Sequence, residues 1–102
     1  TVSMTVLAIA DHLTPSEFAL LPAYPNPFNP ITTIQYSLPE YAKILIQVYD
    51  SNGGLVTELI NASIQPGHYS VDWNATDYAS GVYFVKMIAG DYMQNQKLML
   101  VK

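Results

Sequence analysis

From Ile31 onward, apolar and polar positions alternate with a period of two. Thr32, Ile34, Tyr36 and Leu38 fall on one side and Thr33, Gln35 and Ser37 on the other, which predicts a strand with one covered face. Ile44, Ile46 and Val48 line a second strand opposite Lys43, Gln47 and Tyr49. Tyr69, Val71 and Trp73 alternate with Ser70, Asp72 and Asn74, the cleanest half-buried pattern in the chain. Val82-Tyr83-Phe84-Val85 is apolar throughout, as in a strand covered on both faces. Residues 94–102, with Leu98, Met99, Leu100 and Val101, form the final strand. Residues 55–60 fit less cleanly, because Val56 and Leu59 are three apart. A bulge is expected there, and the inward face stays unassigned. Six to seven short strands without a long helix predict an all-β fold, an antiparallel β-sandwich.

Turn signals separate these strands. Pro39-Glu40, Pro66-Gly67 and Gly90-Asp91 each reverse the chain, and residues 74–81 form a polar loop. In Asp50-Ser51-Asn52-Gly53-Gly54 the Asn-Gly pair accepts positive φ at both central positions, a tight hairpin signal.

Tyr24-Pro25-Asn26-Pro27-Phe28-Asn29-Pro30 stands before the first of these strands. Its prolines fix φ, remove backbone donors and push the preceding residues toward extended geometry. The expectation is a stiff, extended strap with a turn bias at each Asn-Pro, serving as a spacer. Tyr24 and Phe28 should each find a surface to lie against. Upstream, Val2, Met4, Val6 and Ala8 alternate with polar residues as a strand would, the end of a preceding domain or an added edge strand. Thr14-Pro15-Ser16-Glu17 has the form of a capping box, while Phe18 and Leu20 alternate as a short strand; the strand is the favoured reading. Residues 1–17 are therefore read as a leader or the end of a passenger or linker, and residues 18–102 as the domain.

Composition narrows the function. Of 102 residues, half are apolar and 12% are charged, which is globular and not disordered. Four lysines, no arginine and a net charge of −4 argue against nucleic acid and anionic membrane surfaces as partners. No apolar run is long enough to span a membrane as a helix. Without cysteine there is no disulfide, thiolate metal site or thiol nucleophile.

Catalytic chemistry finds little support. His12 and His68 stand apart from any paired acid, and His68 reads as an exposed strand-edge residue. Ser80-Gly81 lacks a nucleophile elbow and a base. Asp72, Asn74 and Asp77 are a candidate set of calcium oxygens, although no metal or other cofactor is expected. Eight tyrosines and Trp73 are the one chemical excess. Exposed, they would make a carbohydrate-binding or adhesion module; at these strand positions they read as core, Trp73 above all.

Several ordered blocks carry a family likeness. The strap with Thr33-Ile34-x-Tyr36-x-Leu38-Pro39 resembles the opening of the type A C-terminal sorting domain of the type IX secretion system. Val48-Tyr49-Asp50-x-x-Gly53, Pro66-Gly67-His68 leading to Trp73, Ala79-Ser80-Gly81-Val82-Tyr83-Phe84 and Lys97-Leu98-Met99-Leu100-Val101-Lys102 follow in the family's order. The loop between Trp73 and Ser80 is shorter than in many members, and residues 1–10 match nothing in the pattern. A related immunoglobulin-like module occurs in flagellar hook-capping proteins, so the resemblance implies an immunoglobulin-like sandwich. It also implies a non-enzymatic label joined covalently to an N-terminal passenger, exported through the periplasm and then secreted or held at the cell surface. The implied partners are the outer-membrane translocon and a sortase-like peptidase, with no insertion into the membrane. The implied recognition residues are Pro25, Asn26, Pro27, Gly81, Tyr83, Lys97, Leu98, Leu100 and Lys102. The terminal strand is expected to carry the signal, presenting a free end and unpaired edge groups that a receptor extends.

Overall fold

Side chains from two antiparallel sheets meet in a single core. A computed structural model describes residues 15–102, in seven strands: β1 (Ala19–Leu20), β2 (Ile31–Leu38), β3 (Ala42–Asp50), β4 (Leu55–Ile64), β5 (Gly67–Asn74), β6 (Gly81–Ala89) and β7 (Tyr92–Leu100). One sheet has the order β1-β2-β5 and the other β4-β3-β6-β7. The all-β sandwich read from periodicity is the fold observed, and Phe18 and Leu20 lead into a strand as expected. The strand pattern of residues 1–10, His12 and the capping residue Thr14 lie outside the described residues.

The alternation works as physics requires. Ile34, Leu38, Ile44, Ile46, Val48, Val85, Met87 and Leu98 are all fully buried. Each such side chain withdrawn from water contributes about 1.5–3 kcal/mol. Thr32 joins this face because its hydroxyl donates to the Pro25 carbonyl at 2.7 Å, so burying it leaves no polar group unpaired.

β4 resolves the awkward spacing of Val56 and Leu59. Along β3, Ile46 pairs Ile60 while Gln47 pairs Glu58, and Val48 pairs Thr57 while Tyr49 pairs Leu55. The residues skipped are Leu59 and Val56. Two bulges turn both apolar side chains onto the core, and β4 continues to Ile64, beyond its expected end.

Two local expectations are corrected. Phe84 is exposed and lies between buried Tyr83 and Val85, so β6 is covered on one face only; the apolar run misled because, among the described residues, no layer packs outside the four-stranded sheet. At the β3–β4 turn only Gly53 has positive φ, at 86°, and Asn52 does not. The loop is held instead by the Asp50 carboxylate, which accepts from the N–H groups of Asn52 and Gly54, each at 2.9 Å.

Candidate recognition surface

The strap is part of the sandwich wall and not a spacer. Tyr24 exchanges two backbone bonds with Thr33 of β2, at 3.1 and 2.9 Å. Four residues later, Phe28 N–H donates to the Met99 carbonyl at 2.9 Å, and Val101 N–H donates to the Phe28 carbonyl at 3.0 Å. The chain thus crosses from one sheet to the other, with all three X-Pro peptides cis. Phe28 is buried, its ring 5.5 Å from that of Trp73. Tyr24, by contrast, is 77% exposed. The expectation that it would find a surface fails, because its backbone pairing with β2 leaves its side chain outside.

Asn26 does what the sequence could not show. Its Nδ2 donates to the Lys97 carbonyl at 2.8 Å, and its Oδ1 accepts from Met99 N–H at 3.0 Å. One side-chain amide thereby takes the place of a peptide group from a neighbouring strand. Gln96 works in the opposite direction, accepting from Ala23 N–H and donating to the Leu21 carbonyl at 2.7 Å. A signal for Gln96 was legible: it shares the face of Leu98 and Leu100, where a polar side chain needs a partner. No comparable signal marks Asn26, whose partners lie 71 and 73 residues away.

β7 is an edge strand, as expected of the terminal strand, but its last part is already paired. Strap atoms hold the Lys97 carbonyl, both backbone groups of Met99 and Val101 N–H. The strand begins at Tyr92 and stops at Leu100. Nor is the last residue free: Lys102 N–H donates to Ser80 Oγ at 3.1 Å, and its ammonium donates to the Thr76 carbonyl at 2.7 Å.

The residues singled out in the sequence fall into two sets. Leu98, Leu100 and Tyr83 are buried. Tyr83 packs edge-on to Trp73 at 5.2 Å, and its hydroxyl donates to the Ala79 carbonyl at 2.6 Å. Pro25, Asn26, Pro27, Gly81, Lys97 and Lys102 are exposed. Asn26, Pro27, Lys97 and Lys102 thus flank one strip of surface where the strap meets β7, and the apolar members hold that strip from beneath. Trp73 is core and is also contacted by Tyr78.

Two of the candidate calcium ligands, Asp72 and Asn74, have structural partners. Asp72 accepts from the Thr33 hydroxyl at 2.7 Å, and Asn74 Oδ1 accepts from the N–H of Thr76 at 3.0 Å and from its hydroxyl. No cluster of three metal-ligating side chains occurs among the described residues. His68 is exposed on the edge strand β5, as expected. Among the described residues, two groups have pKa values displaced by their surroundings. Burial, reinforced by neighbouring Tyr69, raises the pKa of Tyr36, while side-chain bonds from Gln47 and then Asn61 lower that of Glu58.

No curated protein matches the chain. A family model described as the secretion system C-terminal sorting domain matches residues 22–102. That span takes in the strap, the strands from β2 to β7 and the strip where strap and terminal strand meet, and it implies a secreted or cell-surface protein attached to a passenger. The chain belongs to the family of C-terminal sorting domains that act as signals for type IX secretion.

Proposed function

We propose that this domain delivers a covalently attached N-terminal passenger, through the periplasm, to the outer-membrane translocon of the type IX system. It is recognised there as a folded surface and performs no chemistry of its own. The observation that carries this reading is the union of strap and terminal strand, both within the matched span, in one strip. A label read in this way needs a rigid frame, and the bonds from Asn26 and Phe28 to β7 supply it. The exposed members of the strip, Asn26, Pro27, Lys97 and Lys102, are the contact residues in this reading, and Leu98, Leu100 and Tyr83 support them. A sortase-like peptidase then separates label from passenger.

Fusion of the whole chain to a periplasmic reporter, in a host with a type IX system, tests the proposal. The reporter is expected in the medium or on the cell surface. A fusion that is folded and protease-resistant yet retained inside the outer membrane would overturn it.

A further inference from the structure

The strap divides the edge of β7 into a closed part and an open part. Met99 stands opposite Val82, yet both its backbone groups bond to the strap. It therefore belongs to a pair that exchanges no bonds with β6, and by alternation Lys97, Asn95 and Met93 also turn their backbone groups away from β6. Strap atoms take the Lys97 carbonyl and everything beyond it on that edge. Among the described residues no bond takes Lys97 N–H or either backbone group of Asn95 and Met93, which leaves five outward groups in a row.

The setting suits an added strand. Beside this stretch runs a groove of about 350 Å³, lined by Leu20 and Pro22 on one side and by residues 94–97 of β7 on the other. A strand paired to β7 in the plane of its sheet would lie across the segment around β1, with that groove to receive its side chains. The rest of the edge is not available on similar terms, because Phe28 is only 2% exposed and its slot would empty if the strap lifted. Of the other edges, β4 is interrupted by two bulges, which blunt pairing. The outer side of β2 is taken by β1, Leu21 and Tyr24, and β1 at two residues is too short an edge to extend. The edge of β5 is the remaining competitor.

Charge narrows the partner. Residues 92–97 include no acid, the exposed Lys97 makes no ion pair among the described residues, and Lys86 stands across from Asn95. We propose that residues 93–97 are a strand-pairing site for an extended segment of a protein partner in the secretion machinery, one that carries an acidic residue near Lys97. Main-chain bonds supply affinity in this mode, and alternate side chains supply specificity. The inference rests on the sorting reading and extends its contact from the strip onto the open part of β7, with Lys97 common to both.

Proline substitution tests it at a single atom. Asn95→Pro removes an outward N–H, which edge strands tolerate, and Met93→Pro does the same at a residue outside the groove lining, so the two together separate the lost donor from the lost side chain. Ser70→Pro is the control on β5, since by the same alternation its N–H also points outward. Each is fused as the whole chain to the exported reporter and read with its melting temperature. Losing an edge donor and the fit around it is expected to cut export roughly tenfold for Asn95→Pro, with Ser70→Pro close to wild type. Lys97→Glu leaves the backbone intact and is expected to lower export as well. Folded Asn95→Pro exported like wild type, or loss confined to Ser70→Pro, overturns the inference while the sorting reading stands. An unexported wild-type fusion removes the sorting reading and this inference with it. Sedimentation over a range of concentrations is expected to show a monomer; a dimer abolished by Asn95→Pro would make the occupant a second copy and also overturn the proposal.

Discussion

The ring of Phe28 lies 5.5 Å from that of Trp73, tilted by 51°. One residue comes from the strap and the other from β5, and Tyr83 of β6 closes on Trp73 from the facing sheet at 5.2 Å. The contact ties the strap to the core and keeps Asn26 in register with β7.

Removing either ring should be costly. Trp73→Ala and Phe28→Ala are each expected to lower stability by about 3–5 kcal/mol, the range for truncating a buried aromatic. Their effects should be non-additive by about 0.5–1.5 kcal/mol, the worth of an aromatic pair beyond its area. Urea unfolding of the two single variants and the double variant measures all three quantities. Additive losses would show that the rings do not act together.

Asn26→Ala should loosen the terminal strand without unfolding the domain. It removes two hydrogen bonds to β7, together about 1–2 kcal/mol at this exposed site. Amide exchange at Met99, whose N–H loses its acceptor, is expected to quicken, while Leu98, paired with Tyr83 inside the sheet, stays protected. Equal quickening at both positions would indicate global unfolding instead.

Alkaline pH should reveal Tyr36. Its pKa is raised, mainly by burial, so the folded chain holds that proton after the unfolded chain has released it. The unfolded state then binds fewer protons, and stability falls as pH rises through and above the ordinary tyrosine value of about 10. Tyr36→Phe should flatten this fall when melting temperatures are compared across pH 9 to ~11. Glu58 works at the other end. Its pKa is lowered, so its contribution is present above the ordinary carboxylate range and is lost as pH drops through it. Glu58→Gln should remove that part of the acid dependence.

Gly53→Ala should cost about 1–2 kcal/mol, because φ of 86° is a left-handed conformation that side chains resist. No atom lies where its Cβ would stand, so the loss would be conformational and not steric. Thermal melts of Gly53→Ala beside Gly90→Ala, at φ 60° and equally open, should show similar falls.

What the sequence determined by itself was the part of the fold that repeats locally. Period-two alternation depends only on which side chains neighbour each other along a strand, so the inward faces of β2, β3 and β5 were legible, as was the irregularity of β4 at Val56 and Leu59. The ordered motif blocks also identified the family. Tertiary structure decided everything that required two distant segments to meet. Nothing near Phe84 in the sequence shows that its side chain is exposed, since coverage depends on what packs against that face of the sheet. Proline stiffness alone reads as a spacer, and only the docking of Phe28 beside Trp73 turns the strap into a wall of the sandwich. Asn26 is the clearest case. An asparagine between two prolines has no local signature of a strand mimic, because its role is created by carbonyl and amide groups on β7, which the folded chain alone brings within reach.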